Sequence, residues 1–339
     1  MRHAVLGIIA AAAATATALV AAFAAPVAPA RSSGIELSLV AYSTPREAYG
    51  KLIPMFQKTP AGKDVDFAQS YGSSGEQTRA VKAGLEADIV ALSLAPDVDE
   101  LVYAGLVDAT WKRQSYKGMV TNSVVVFVVR DGNPKKVKGW NDLLRPDVDV
   151  VTPNPFTSGG ARWNVMAAYG AWRKAGKTEK QAQANLLKLF ENVVVQDTSA
   201  RASLNTFNSG KGDVLLAYEN EALFARTQGL NLQFVIPKAT ILIENPIAVV
   251  KKSPDKAAAN AFLRFLQKPA AQQVFADNGY RPVVKSVENA NRRKFPIRPG
   301  LFTIDELGLG GWKKVQKRFF DSKSSIMARI QRQIGGSTG

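Results

Sequence analysis

The run IELSLVAY at residues 35–42 opens an alternation of strand-like and helix-like segments. An amphipathic stretch follows at 46–57, then a strand-like run at 65–70 and a helix-like segment at 76–85. DIVAL at 88–92 completes a β-α-β-α-β order. That order is typical of a largely parallel sheet flanked by helices, so the sequence predicts an α/β fold.

The alternation resumes after SVVVFVVR at residues 123–130, a wholly apolar run that suits a strand buried on both faces. The later segments repeat the pattern, with strands at 148–152, 193–196, 213–218 and 247–250 and helices at 161–175 and 257–266. Two α/β units in one chain predict two lobes. The runs near 123–130 and 245–250 are the candidate crossovers between them.

The first thirty residues have the pattern of a secretory signal peptide. Arg2 and His3 precede an Ala-rich apolar run that reaches Ala24, and residues 28–30 offer an A-x-A cleavage site. We expect residues 1–30 to be removed on export, leaving a soluble protein in the periplasm. An uncleaved membrane anchor is the alternative, although the Ala-rich run is less apolar than a typical spanning helix.

The 339-residue chain has no Cys and a single His, which is His3. The rest of the chain therefore lacks Cys nucleophiles, His general bases, Ser-His-Asp triads and the ligands of nearly all zinc sites. Carboxylate pairs and Ser-Lys dyads need neither residue type, but no carboxylate pair stands out. The composition predicts a protein that is not an enzyme and has no cofactor and no metal.

The formal net charge is +16 at pH 7. A basic balance suits nucleic acid, an anionic surface or an anionic small ligand. Lys and Arg are scattered rather than grouped in blocks, and nucleic acid is not expected outside the cytoplasm. A basic solvated surface that attracts an anion is therefore favoured, with adhesion to anionic polymers as an alternative.

The last part of the chain is less regular. Beyond residue 312, apolar residues fall at roughly helical spacing among basic ones: Val315, Phe319, Phe320, Met327 and Ile330. We expect this stretch to be a helix packed against a lobe, because most amphipathic stripes are core faces. A helix lying on a membrane surface is the alternative.

Three segments rich in small residues each lie between a predicted strand and a predicted helix. They are SYGSSGEQ (70–77), TPNPFTSGGARW (152–163) and DTSAR (197–201). A helix start carries unpaired N–H groups and partial positive charge, so it binds anions well. In open α/β sheets the ligand lies where strands end and helices begin, so these segments predict an anion site. None has the P-loop spacing, which disfavours nucleotide phosphate.

These segments resemble those of the periplasmic sulfate-binding proteins, a family that includes a thiosulfate-binding relative. Six stretches carry the resemblance, in order and without large gaps: 69–77 (QSYGSSGEQ), 140–146 (WNDLLRP), 152–164 (TPNPFTSGGARWN), 197–207 (DTSARASLNTF), 217–222 (AYENEA), and 302–312 with FTIDE and GGW. The matches extend from about residue 35 to residue 312.

The resemblance implies a two-lobed periplasmic binding protein of type II. Each lobe would be a mostly parallel sheet flanked by helices, with the ligand in the cleft. Residues 31–122 and 247–339 are expected to form lobe 1, including the C-terminal helical segment, and residues 123–246 to form lobe 2. The partners implied are sulfate or thiosulfate and the membrane permease of an ABC importer, and the protein is expected to be a monomer that binds no nucleic acid.

The resemblance also implies the ligand-binding residues. Ser74 would donate its backbone N–H, and Ser158 its hydroxyl and its N–H. Gly159, Gly160 and Ala200 would each donate a backbone N–H.

Two positions depart from the family pattern. Tyr218 stands where the family commonly has a Trp whose indole N–H donates to the anion, and a phenolic O–H can donate with a different reach. Ser43 stands where the family tends to have Asp. Arg162 and Arg201 are expected near the site, behind the residues that touch the ligand.

The choice of sulfate follows from its protonation. Sulfate at neutral pH has no proton, so all its oxygens accept hydrogen bonds, whereas phosphate keeps a proton and favours a carboxylate acceptor. Sulfate is expected if Glu76 and Asp197, at the edges of the segments, point away from the ligand. Molybdate or phosphate in the same architecture is the alternative. A remote one is an exported hydrolase with Ser158 as nucleophile, which needs a Lys where the sequence offers Arg162.

Overall fold

The computed structural model describes residues 34–338, so the predicted signal peptide at residues 1–30 lies outside the described residues. Within them, ten strands form one mixed sheet. The strands are β1 (Ile35–Tyr42), β2 (Val65–Gly72), β3 (Ile89–Ala91), β4 (Met119–Arg130), β5 (Val150–Val151), β6 (Val193–Val195), β7 (Val214–Tyr218), β8 (Leu232–Val235), β9 (Thr240–Val249) and β10 (Leu301–Phe302).

Twelve α-helices of residues 34–338 cover the sheet. They are α1 (Arg46–Gln57), α2 (Ser74–Lys82), α3 (Ala95–Tyr103), α4 (Gly159–Lys174), α5 (Glu179–Glu191), α6 (Ala200–Asn208), α7 (Glu219–Thr227), α8 (Lys256–Leu266), α9 (Pro269–Asp277), α10 (Lys285–Ala290), α11 (Gly311–Phe320) and α12 (Ile326–Gln333). None of these helices is both long and apolar enough to cross a membrane.

The sheet has a parallel group of strands at each side and an antiparallel centre. The strand order is β2-β1-β3-β9-β4-β7-β5-β6, with β8 beside β4 and β10 beside β9. β1 pairs in parallel with β2 and β3, and β5 pairs in parallel with β6 and β7. β4 and β9 pair antiparallel to each other between the two groups. This architecture confirms the predicted α/β fold, and the two predicted crossovers lie side by side in β4 and β9.

Apolar residues alternate between the two faces of β4 because the strand is covered on both sides. Val125, Phe127 and Val129 join the cluster under α4, whereas Val124 and Val126 join the cluster under α6 and α7. All five are fully buried. β-Branched residues fit such a pleated, doubly buried strand, which explains the uninterrupted apolar run in the sequence.

The two largest apolar clusters of the described residues are built on different groups of strands. One large cluster takes its residues from β1, α1, α8 and α9 and includes Phe56 and Phe262. Another takes them from β4, α4, α5 and β7 and includes Phe127 and Trp163. The division into lobes at the expected boundaries stays a prediction.

The C-terminal helices α11 and α12 pack differently from the expectation that they belong with lobe 1. Their buried side chains, among them Phe319 and Met327, belong to the cluster built on α4, whereas the sequence led us to group them with lobe 1. Trp312, at the start of α11, stacks edge-on against Trp163 of α4 at 4.7 Å. The apolar face of both helices is thus packed against the rest of the protein.

Replacing Phe262 by Ala should strongly destabilise the protein. Its ring is fully buried and lies 4.7 Å from that of Phe67 and 5.1 Å from that of Phe56. Truncating such a ring leaves a cavity, and we expect the free energy of unfolding to fall by about 3–5 kcal/mol in a urea titration. Tyr103→Ala is the control, since that ring is 72% exposed and its loss should change the free energy of unfolding by no more than about 0.5 kcal/mol.

Candidate functional site

A small, closely packed cavity, with about 10 Å³ of free space, lies where several strands end and helices begin. Pockets for drug-sized ligands have roughly 300–1,000 Å³, so this cavity suits only a compact solute. Ser43 lines it, and so do all six residues predicted as ligands: Ser74, Ser158, Gly159, Gly160, Ala200 and Tyr218. Three further residues complete the lining: Tyr42, Ser73 and Ser93. The structure thus brings the predicted residues together, and their role as ligands stays a prediction.

The helix boundaries explain why these residues face the cavity. Ser74, Gly159 and Ala200 are the first residues of α2, α4 and α6, and Tyr218 immediately precedes α7. The first N–H groups of a helix have no partner inside it. The aligned peptide dipoles add partial positive charge at the same end. Four helix starts around one cavity therefore present N–H donors and positive potential to its contents.

Glycine at the start of α4 allows the backbone to approach its neighbours closely. A Cβ added to Gly159 would lie 2.3 Å from Leu94 and 2.6 Å from the Ser93 Oγ. A Cβ on Gly160 would lie 3.3 Å from the Ser158 Oγ and 3.5 Å from Ala200, within the cavity. Side chains at these positions would displace the loop after β3 or fill the site.

The backbone N–H of Ser158 is already used within its own loop. It donates to the carbonyl oxygen of Asn154 at 2.9 Å. We expected both the hydroxyl and the N–H of Ser158 to serve the ligand. The loop bond leaves the hydroxyl as the group that Ser158 can offer.

The Tyr218 hydroxyl lies 2.6 Å from the Ser93 Oγ, inside the cavity wall. Burial raises the pKa of Tyr218 well above its usual value, so the phenol keeps its proton at neutral pH. Either hydroxyl can donate in the bond between Ser93 and Tyr218. The hydroxyl that accepts this bond keeps its own proton free to donate to a ligand. Ser93 was missed by the sequence reading, although it directly follows the apolar run DIVAL and so occupies the end of a strand.

One backbone hydrogen bond joins the first turn of α2 to the loop before α4. The N–H of Gly75 donates to the carbonyl oxygen of Thr157 at 3.1 Å. A Cβ on Gly75 would lie 2.7 Å from that oxygen, so only glycine permits this contact. The starts of α2 and α4, which both contribute residues to the cavity wall, are thereby held together.

No carboxylate lines the cavity among the residues that the structure describes. The nearest acid in the hydrogen-bond network is Asp97, which accepts a bond from the Ser74 Oγ at 2.5 Å and pairs with Arg162 at 2.9 Å. Burial raises the pKa of Asp97, and the Arg162 guanidinium opposes that rise. Arg162 lies behind the cavity wall with its charge taken up by this partner.

Arg201 is engaged by two carboxylates beside the cavity. Its guanidinium contacts Glu47 of α1 at 2.7 Å and Glu221 of α7 at 2.8 Å. Burial raises the pKa of Glu47, but the hydrogen bonds and charge of Arg201 lower it by more. The pKa of Glu47 therefore lies below its usual value. Arg201 thus ties α6 to α1 and α7 and does not line the cavity.

The two acids at the edges of the predicted segments point away from the cavity. Asp197 accepts hydrogen bonds from the hydroxyls of Ser203 and Thr206 at 2.9 and 2.8 Å. Glu76 is exposed on α2. Within residues 34–338, no group of three or more acidic, His or Cys side chains is placed to hold a metal ion. The cavity is therefore lined by neutral groups, most of them hydrogen-bond donors.

An α/β fold that encloses one small polar cavity at its helix starts defines a binding protein for a small solute. Residues 37–281 match the family described as bacterial extracellular solute-binding protein, and the chain belongs to that family.

Several members with known ligands are similar to the chain over most of its length. A sulfate-binding protein of Synechocystis is 44% identical over 88% of this chain and 87% of its own. A thiosulfate-binding protein of Pseudomonas aeruginosa is 37% identical over 83% of this chain and 88% of its own. The solved structure of the sulfate-binding protein SubI from Mycobacterium tuberculosis is 41% identical, with a TM-score of 0.82, and the match covers 85% of this chain and all of that one.

Gly160→Ala should weaken anion binding without unfolding the protein. The new methyl group would enter the cavity between Ser158, Ala200 and Tyr218, so a bound anion would lose hydrogen bonds to fixed donors. Because a hydrogen bond to a charged group contributes about 1.5–3 kcal/mol, we expect sulfate affinity to fall by about 10- to 100-fold in isothermal titration. Gly50→Ala is the control, because a Cβ there meets nothing within 4 Å and sulfate affinity should not change.

Sulfate affinity should also be nearly independent of pH between about pH 6 and 9. The titratable groups of the cavity wall are Tyr42 and Tyr218, and burial raises the pKa of both, so they stay protonated. A group that lost its proton in this range would add negative charge beside the anion and weaken binding as pH rises. We expect less than about a threefold change by isothermal titration. A tenfold fall from pH 6 to pH 9 would count against a neutral site.

Proposed function

We propose that this protein is an exported receptor that binds sulfate and delivers it to an ABC importer. The observation that carries the proposal is the small cavity where α2, α4, α6 and α7 begin, lined by backbone amides and hydroxyls and by no carboxylate of the described chain. The sulfate-binding relatives at 41–44% identity support the same assignment.

The donors around the cavity favour an anion with no proton of its own. Each oxygen of sulfate accepts hydrogen bonds, which matches amide N–H and hydroxyl donors. Phosphate keeps a proton at neutral pH and would need an acceptor for it. The acids near the site have other partners, since Asp97 is bound by Ser74 and Arg162.

Binding is proposed to balance the charge of the dianion without a salt bridge. Burying a charge without compensation is costly. Fixed amide donors and helix dipoles, each carrying partial positive charge, offset that cost. Arg162 and Arg201 add positive potential at a distance, because both already hold carboxylates.

Thiosulfate is proposed as a second ligand, since it has the same charge and a similar shape. The relative named thiosulfate-binding protein supports this extension. Molybdate is a larger tetrahedron, so a closed cavity of this size should disfavour it. The protein is proposed to bind these anions and to leave them chemically unchanged.

Export and transfer complete the proposal. Residues 1–30 are proposed to be a cleaved signal peptide, and the mature protein is proposed to act in the periplasm as a monomer. Its proposed partner is the membrane permease of an ABC importer, to which it would deliver the bound anion.

Thermal melts with sulfate, thiosulfate, phosphate and molybdate in parallel test the ligand. A ligand at a hundredfold excess over its Kd stabilises the folded protein by about 2.7 kcal/mol. For a protein of this size, that corresponds to a rise in Tm of roughly 4 °C. We expect such a rise with sulfate, a comparable or smaller one with thiosulfate, and none with phosphate or molybdate.

Sodium chloride at matched ionic strength is the control for general salt effects. No rise with sulfate beside a clear rise with phosphate or molybdate would refute the sulfate assignment. Equal rises with every anion, chloride included, would indicate a basic surface rather than a selective site.

A further inference from the structure

The Ser and Thr residues that precede helices use their hydroxyls in two different ways. In the described chain, five α-helices have such a residue at the N-cap: Ser73, Ser158, Thr178, Ser199 and Ser325. Thr178, Ser199 and Ser325 accept a bond from a first-turn N–H at 3.1–3.2 Å, the usual role of an N-cap. Ser73 and Ser158 make no such bond. These two are also the ones that line the cavity.

The Ser73 hydroxyl has no hydrogen-bond partner in the protein. The residue is only 2% exposed, so bulk water does not solvate this oxygen. Buried polar groups nearly always have a partner, and leaving one unpaired destabilises the fold. Because Ser73 lines the cavity, a molecule bound there can supply the missing partner.

One of the usual targets of an N-cap hydroxyl is already occupied before α2. An N-cap side chain bonds the N–H of the second or third helical residue. Here the second is Gly75, whose N–H donates to the carbonyl oxygen of Thr157 in the loop before α4. Ser73 caps neither position, and its oxygen remains on the wall of the site.

We propose that the Ser73 hydroxyl is an additional ligand of the bound anion. It would donate from the α2 side while the Ser158 hydroxyl donates from the α4 side. The ligand class is a fully ionised tetrahedral oxyanion, whose oxygens all accept hydrogen bonds. This inference rests on the proposed function. It adds a hydrogen-bond donor that is absent from the ligands implied by the family resemblance.

Isothermal titration with sodium sulfate on Ser73→Ala and Ser325→Ala separates a ligand role from a capping role. Ser73 has no capping bond to lose, so its replacement should leave the Tm of the ligand-free protein within about 1 °C and weaken sulfate binding by about 10- to 30-fold. Ser325 caps α12, so its replacement should lower Tm by about 1–3 °C and leave sulfate affinity unchanged.

Ser158→Ala serves as the reference for loss of one hydroxyl donor. If Ser158→Ala weakens sulfate binding and Ser73→Ala does not, the Ser73 proposal is overturned while the sulfate function stands. If Ser73→Ala lowers the ligand-free Tm and the affinity together, the residue has a structural role and the proposal is again overturned. If the wild-type protein binds no sulfate, the proposed function itself fails.

Discussion

The unpaired N–H groups at helix starts are the constraint on which the site depends. A helix cannot bond its own first amides, and these need partners when they are buried. The order of strands and helices places the starts of α2, α4, α6 and α7 at one cavity. The sheet therefore creates a group of donors that a small acceptor can satisfy together. The small residues at these positions keep the backbone accessible.

The charged side chains near the cavity are arranged so that none of them touches its contents directly. Arg162 is held by Asp97, and Arg201 by Glu47 and Glu221. Each pair keeps the guanidinium in place and cancels most of its charge at short range. The wall of the cavity stays neutral, and the hydrogen-bonding pattern of a ligand, rather than its charge alone, decides whether it fits.

The sequence predicted the fold and most of the site because both follow from local pattern. The predicted strand at 35–42 and helix at 46–57 have the bounds seen in β1 and α1, since apolar alternation and amphipathic spacing are strong there. The start of β9 at Thr240 was missed, because its polar residues Glu244 and Asn245 interrupt the apolar run. Ser93 and the loop bond of the Ser158 N–H were missed because both depend on contacts between distant segments. The same holds for α11 and α12, whose apolar faces were recognised but whose packing partner was not.

The bond from Gly75 to Thr157 has a consequence for kinetics. It joins the first turn of α2 to the loop before α4, and the Arg201–Glu47 pair joins α6 to α1. If a bound molecule can leave only when these segments separate, its residence time depends on how fast they part. Changes at Gly75 would then alter how long a ligand stays more than how fast it arrives.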